Sequence, residues 1–192
     1  MTKLQIYNIA LQQHGKKCTQ AELDSANPPY EVQVCNTNYE AAWRKVLGEC
    51  DWQSMLVKVD VADCDDEPAG RWAHGFVLPY GILRVSSISS KPYQVIAGHF
   101  YTDEDNPDIY YMPEFFDCRI APENICHLVG LALAFELCAI LAPADNAISQ
   151  RIVQSYGWLL QPMISAEAPS YIRGPEEGGP VNIGGLYGDF HS

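Results

Sequence analysis

Cysteine and histidine are the residues of this chain best suited to chemistry. Cys126 and His127 are adjacent in an apolar stretch with helical character. Neighbouring residues on a helix face different directions, so these two side chains cannot pair as nucleophile and base. Cys118 has His74 or His99 as candidate bases, but no recognised motif surrounds any of them. The sequence therefore predicts no catalytic residue and favours a protein that is not an enzyme.

Metal and phosphate sites are also disfavoured by residue spacing. Cys118, Cys126 and His127 lack the short paired spacings of zinc ligands. The acidic segment from Asp60 to Glu67 lacks the glycine and terminal glutamate of the helix-loop-helix calcium motif, so we interpret it as a solvated loop. The glycines of residues 169–192 match neither GxxxxGK[ST] nor GxGxxG. We expect no metal, no cofactor and no cofactor-binding residue.

The composition is that of an acidic chain able to bury a core. Its 192 residues, 47% of them hydrophobic, suit one domain with a subdomain or an extended arm. A net charge of −12 argues against binding to DNA phosphates, although an acidic wall would let DNA slide past without sticking. Seven cysteines without a CxxC pair indicate reduced thiols from a reducing cytosol. The N-terminus shows no signal peptide pattern.

Helical periodicity marks two segments in the first quarter of the chain. Thr2 can cap a first helix that Gly15 ends. A second helix begins near Tyr30 with one apolar face, and Gly48 is its predicted C-cap. Trp52 follows at the exit of this helix, where we expect it to be buried between helix and sheet.

Two further helices are predicted in the last third of the chain. Pro122 opens a helix that is apolar nearly all round and runs to Ala142. It is marginal in length for a bilayer, so a buried core helix containing Leu131 is the favoured interpretation. A fourth helix begins near Asp145, and Pro162 should kink or end it. The residues of its predicted apolar face are Ile148, Ile152, Val153, Tyr156, Leu159, Leu160 and Met163.

Between these helices the chain alternates in short β-like runs. A half-exposed strand is predicted in residues 55–62, and Ala97-Gly98 is placed at the turn of a hairpin. The remaining runs cover residues 72–78, 82–88, 93–96, 99–102 and 109–112. Pro79-Tyr80-Gly81 can turn the chain between two of them. We expect one small antiparallel sheet or a partial barrel.

These patterns predict an α+β fold, mainly α, in which a bundle of about four helices carries an inserted small antiparallel β domain and an extended C-terminal tail. The predicted division is residues 1–54 and 118–168 for the bundle, 55–117 for the β-rich insertion and 169–192 for the tail. The tail is rich in glycine and proline but carries spaced apolar side chains. Such a segment is typical of an arm that orders on a partner.

The order of these segments resembles tail tubular protein A, the head-to-tail adaptor family of short-tailed phages. The likeness covers roughly residues 1–168. Its marks are a helix with a tyrosine and a basic residue before a tryptophan, a strand phrase LP-x-x-x-x-R-V, a tyrosine-valine-glycine hairpin, an aromatic strand and a late Leu/Ala helix. The matching residues are Tyr39, Arg44 and Trp52; Leu78, Pro79, Arg84 and Val85; Tyr93, Val95 and Gly98; Tyr110 and Tyr111; and Leu131-Ala132-Leu133-Ala134. The truncating Pro162 and the glycine-rich tail depart from the family pattern.

The resemblance implies a structural subunit of the virion, assembled in the host cytoplasm. It implies a homo-oligomeric ring of about twelve copies between the portal and the tail nozzle or tube, with double-stranded DNA passing through the lumen without specific binding and no membrane partner. The predicted contacts with the portal or a neighbouring subunit are Tyr171, Ile172, Leu186, Tyr187 and Phe190. Two alternatives remain at this stage: another ring or stopper protein, as in a long-tailed phage, and a small cytosolic cysteine-dependent enzyme.

Overall fold

A computed structural model describes residues 1–60, 70–87 and 91–167, apart from the side chain of Ser87. The described residues form an α+β fold that is mainly helical, as predicted. A 3₁₀ turn (Gln53–Met55) precedes the strands. The elements are α1 (Lys3–Gln13), α2 (Gln20–Leu23), α3 (Tyr30–Glu49), β1 (Val57–Lys58), β2 (His74–Val77), β3 (Ile82–Ser87), β4 (Tyr93–Ile96), β5 (His99–Thr102), β6 (Ile109–Pro113), α4 (Glu123–Leu141) and α5 (Asn146–Glu167).

The centre of the helical part is α4, because α1, α3 and α5 all pack against it. By length and mean hydropathy α4 is apolar enough to cross a membrane, but most of it is buried inside the fold. Its buried positions include Leu131, and Trp52 is fully buried in the helical core, so both residues are buried as predicted. Burying a large apolar side chain contributes roughly 1.5–3 kcal/mol, so this helix dominates the core.

Local signals explain most helix ends. The Thr2 hydroxyl accepts from the Gln5 amide while the Gln5 side chain accepts from the Thr2 amide, which is a complete capping box on α1. The prediction that Gly48 caps α3 is wrong, because the helix continues to Glu49 and leaves in an extended conformation at Cys50. Side chains distant in sequence take over the capping role, as described below.

Pro162 does not end α5, which continues to Glu167. Proline at this position removes the amide that would bond the carbonyl of Trp158. Both residues are exposed, so water can satisfy that carbonyl, and the helix passes through the proline on its solvent side.

The strands of the described residues form two separate three-stranded antiparallel sheets rather than one. The first has the order β1-β6-β3 and the second the order β2-β5-β4. Although Pro79-Tyr80-Gly81 does turn the chain, β2 and β3 diverge into different sheets there. Of the strand predicted over residues 55–62, residues 61 and 62 lie outside the described chain. Within the described part, Met55 belongs to the 3₁₀ turn and Val57–Lys58 forms the strand that pairs with β6.

A second, smaller core lies between the sheets. It consists of Val59, Phe76, Leu78, Phe100 and Ile109, with Ile82, Val85 and Tyr111 packed against it. The predicted hairpin is confirmed: β4 and β5 pair around Ala97 and Gly98, which both have positive φ. Two left-handed residues in a row give the twist that a two-residue hairpin loop requires.

Candidate interaction surfaces

The predicted contact residues lie outside the part of the chain that the structure describes. These are Tyr171, Ile172, Leu186, Tyr187 and Phe190. Their role as portal or subunit contacts therefore stays a prediction. The described surface is where further candidate interfaces can be found.

Four described cysteines, Cys18, Cys35, Cys118 and Cys126, are buried in the helical core, and Cys50 and Cys138 are half-buried against it. Burial raises the pKa of Cys35 to about 12 and that of Cys126 to about 11, so both remain protonated near neutral pH. The Cys126 thiol lies 3.5 Å from the Cys118 carbonyl oxygen. Of the candidate bases, the His74 ring contacts Asp105 at 2.9 Å and the His99 ring contacts the Ala97 carbonyl at 3.2 Å.

Within residues 1–60, 70–87 and 91–167, no group of three or more His, Cys, Asp or Glu side chains is arranged to hold a metal ion. His127 lies exposed on α4, about 100° around the helix from the buried Cys126. The acidic segment that we interpret as a loop lies outside the described residues after Asp60.

The first candidate surface is on β4, the outer strand of the second sheet. Tyr93, Val95 and Ile96 remain 41%, 43% and 49% exposed, although all three are apolar and lie on a regular strand; we call them the β4 surface. Tyr93 stacks on the buried Phe100 at 4.9 Å, so this strand is anchored in the second core. Among the described residues, β4 pairs with β5 alone. Its outer backbone edge is thus a template for another strand.

Beside the β4 surface the gap between the two sheets stays open and forms a groove of about 660 Å³. We call it the inter-sheet groove. Residues 77–85 form one wall, and Val95, Ala97, Gly98 and His99 form the other. Among these described lining residues none is Asp or Glu, in a chain with twice as many acids as bases. The groove is therefore an apolar, acid-free cleft on an acidic protein.

The second candidate surface is on α5. Trp158 is 80% exposed, and we call the face of α5 around it the α5 surface; Val153, which is 53% exposed, lies about 140° around the helix from Trp158. Trp158 borders a cleft of about 870 Å³ against α4, which also contains His127 and Leu131. Placing Val153 on the buried face of this helix was therefore wrong. Exposed tryptophan is uncommon on a free surface and is enriched at the centre of protein interfaces.

Residues of the family-like motifs meet at the junction between the helical core and the sheets. The Arg84 guanidinium on β3 donates to the carbonyl oxygens of Leu47 and Cys50, at the end of α3. It also lies 2.7 Å from the Asp51 carboxylate. A bulge near Leu83 sets this position, because it puts Arg84 opposite the buried Met112 of β6. Arg84 thus supplies the cap that Gly48 was expected to provide.

The same junction holds the aromatic residues of α3. Tyr39 packs edge-on against Tyr7, Trp43 and Phe115, with ring centroids 5.4–6.4 Å apart. The Trp52 indole donates to the Val46 carbonyl oxygen at 2.8 Å. These ring contacts join α1, α3 and the segment after β6.

Sequence patterns indicated the two surfaces only weakly. Trp158 falls outside the apolar period of α5, and a large aromatic residue on a polar face is itself a signal. The β4 residues were predicted as a strand, but their exposure depends on which sheet that strand joins. A scan of protein-family models finds no match to this chain, and a search of curated proteins finds no significant match.

Proposed function

We propose that this chain is a structural subunit of a phage head-to-tail connector, in which copies form a ring between the portal and the tail. The observation that carries the proposal is the presence of two unlike apolar surfaces, the β4 surface and the α5 surface, on one chain. A ring requires a head-to-tail contact in which two different patches of the same protein meet. One patch alone would favour a two-fold dimer.

The charge of the chain supports the same function. Copies that each carry −12 repel one another, so contact between them must come from apolar area at a few positions. Trp158 and Tyr93 are residue types that supply large contact area at low entropic cost. An acidic lumen repels DNA phosphates, so double-stranded DNA would pass without specific binding.

The described thiols support a structural role rather than a cysteine-dependent enzyme. Cysteine nucleophiles act as thiolates, and their sites lower the thiol pKa. In this protein burial raises the pKa of Cys18, Cys35, Cys50, Cys126 and Cys138. The protein would function in the virion after assembly in the host cytoplasm, with the portal and the tail nozzle or tube as its neighbours.

Native mass spectrometry of the full chain, alone and with the portal, tests this proposal. We expect a closed ring of about twelve copies for the wild-type chain, in one of the two conditions. Val95→Asp on the β4 surface and Trp158→Asp on the α5 surface should each leave monomers. Gln94→Asp, on the opposite face of β4 from Val95, and Gln150→Asp, at an exposed position about two turns before Trp158 on α5, are the controls and should still form rings.

Mixing the two defective variants makes the test specific for a head-to-tail contact. Each variant keeps the surface that the other has lost, so one productive contact per pair is available and a heterodimer should appear. Circular dichroism should show that both variants are folded. A wild-type chain that stays monomeric with and without the portal would overturn the proposal, and so would rings formed by either single variant.

A further inference from the structure

The inter-sheet groove is an unfilled extension of the second core. Val95 lies opposite the fully buried Phe100 in the β4–β5 register, yet Val95 remains 43% exposed. Tyr80, at the rim, is fully exposed. The two groove walls are apolar and adjoin the second core, but a gap separates them. Such a gap is suited to receive apolar side chains from another segment.

The β4 edge beside the groove offers backbone partners as well. Among the described residues it pairs with β5 alone, so its outer amides and carbonyls can accept an added strand. In this recognition mode, main-chain hydrogen bonds hold the peptide while adjacent pockets take alternate side chains. The arrangement fits an extended peptide with spaced apolar residues and few acids.

We infer that the inter-sheet groove and β4 edge of one copy receive residues 181–190 of the neighbouring copy's C-terminal tail; this inference rests on the proposed ring. The segment reads Val-Asn-Ile-Gly-Gly-Leu-Tyr-Gly-Asp-Phe and contains one acid, Asp189. Val181 and Ile183 alternate as strand-forming residues do, and Leu186, Tyr187 and Phe190 follow as larger side chains. An acid-poor segment and an acid-free groove avoid the repulsion that acts between other parts of two copies.

The length of the chain allows this contact. In the proposed ring the α5 surface of one copy faces the β4 surface of the next. Glu167 ends α5 nine residues after Trp158, which is about 14 Å along the helix. From Glu167 to Val181 the chain can span up to about 45 Å. The segment therefore starts near the neighbour's groove and can reach it.

The groove of the same copy is the competing receptor. The Glu167 carboxylate accepts from the Gln53 amide at 2.7 Å and from the Ser54 hydroxyl at 3.1 Å. Nearby Asp51 contacts Arg84, which lines the groove. The end of α5 thus also lies close to its own groove, and a test must separate contact within one copy from contact between copies.

Photocrosslinking of mixed isotope-labelled and unlabelled copies distinguishes contact within one copy from contact between copies. The full-length chain would carry Tyr187→p-benzoylphenylalanine and be prepared both unlabelled and ¹⁵N-labelled. The two forms would be mixed before ring assembly and irradiated after it. We expect crosslinks from position 187 to residues 77–85 or 95–99, with heavy-to-light pairs as frequent as like-labelled pairs. The same reagent at the exposed Tyr30 is the positional control and should give no groove crosslinks.

Groove variants give a second, independent measurement. Ala97→Asp places a charge in the groove at a position outside the β4 surface, so rings should still form, and it should lower heavy-to-light groove crosslinks by about tenfold. Gln94→Asp, on the opposite face of β4 from Val95, should lower them less than about twofold. Crosslinks confined to one isotope would show contact within one copy and would overturn the inference. Rings that form normally but crosslink elsewhere would also overturn it while leaving the proposed function standing; absence of rings would instead count against the proposed function.

Discussion

The Nε atom of Arg84 lies 2.7 Å from a carboxylate oxygen of Asp51, across the junction between the sheets and the end of α3. The Nε–H does not point at this oxygen, so the contact is an ion pair rather than a hydrogen bond. The other guanidinium nitrogens donate to carbonyl groups at the end of α3. One side chain therefore both caps a helix and links it to a strand.

Replacing Arg84 should weaken this junction. We expect Arg84→Gln to lower the free energy of unfolding by about 1–3 kcal/mol, because carbonyl groups at the helix end lose a charged donor. Arg84→Lys should recover only part of the loss, because an ammonium group lacks the planar fork. Urea unfolding measures both. Arg119→Gln, which removes an exposed pair with Asp117, is the control and should change stability little; equal effects at Arg84 and Arg119 would contradict the capping role.

A side chain at Gly130 should separate α1 from α4. A Cβ placed there would lie 2.6 Å from Cγ2 of Ile9 and 3.3 Å from the Ile6 carbonyl oxygen. We expect Gly130→Ala to destabilise the fold by about 1–3 kcal/mol in thermal or urea unfolding. Gly157→Ala is the matched control, since a Cβ there meets nothing within 4 Å, and it should be neutral or stabilising by up to about 1 kcal/mol. Adding Ile9→Ala to Gly130→Ala removes the clashing methyl group and should restore part of the lost free energy of unfolding. If the double variant is no more stable than Gly130→Ala alone, this steric explanation is contradicted.

Stability should fall at alkaline pH in a way that depends on Cys35. Burial raises the pKa of this thiol from 9.0 to about 12. Between these values the unfolded chain releases a proton that the folded chain keeps, so unfolding becomes easier as the pH rises. The contribution is intact below about pH 9 and declines by about 1.4 kcal/mol per pH unit above it. Urea unfolding from pH 8 to 11 should show that the free energy of unfolding falls less steeply with pH in Cys35→Ala than in the wild type. Equal slopes for the two proteins would show that Cys35 is not the titrating group.

Removing the thiol of Cys118 or of Cys126 should not abolish assembly. Cys118→Ala and Cys126→Ala each delete a buried sulfur, so we expect modest losses in stability from packing. Ring formation and incorporation into particles should remain, because neither thiol is proposed to react. Loss of infectivity by a variant that folds and joins the particle normally would favour the enzyme hypothesis over the structural one.

The sequence was sufficient to predict the elements whose ends carry a strong local signal. Thr2, Tyr30 and Pro122 mark three helix starts, and Ala97-Gly98 marks the hairpin turn, because caps and turns depend on neighbouring residues. Arg84 as the cap of α3 could not be foreseen, since the residues that it contacts are more than thirty positions away. The separation of β2 and β3 into two sheets was missed for the same reason: strand pairing is decided by long-range contacts.

Of the candidate surfaces, one was predicted from the sequence and the others could be identified only from the structure. The tail was predicted from its composition, and its predicted contact residues lie outside the described chain. Trp158 and Val153 required the structure, because periodicity alone assigns residues to faces without showing which face is covered. The exposure of Val95 and Ile96 likewise follows from the position of β4 at the outside of its sheet.

Because α4 lies at the centre of the helical core, the nascent chain cannot complete that core until α4 has been synthesised. The apolar faces of α1 and α3 are closed mainly by α4, which is synthesised only after the whole β-rich stretch. From Glu49 to Leu141 a ribosome adding roughly 5–20 residues per second needs about 5–20 s. During that interval Ile6, Leu11 and Trp43 have no α4 to bury them, whereas the hairpin of β4 and β5 can already pair. Translation speed, and any chaperone that shields the first helices, should therefore govern the yield of native protein more than its final stability does.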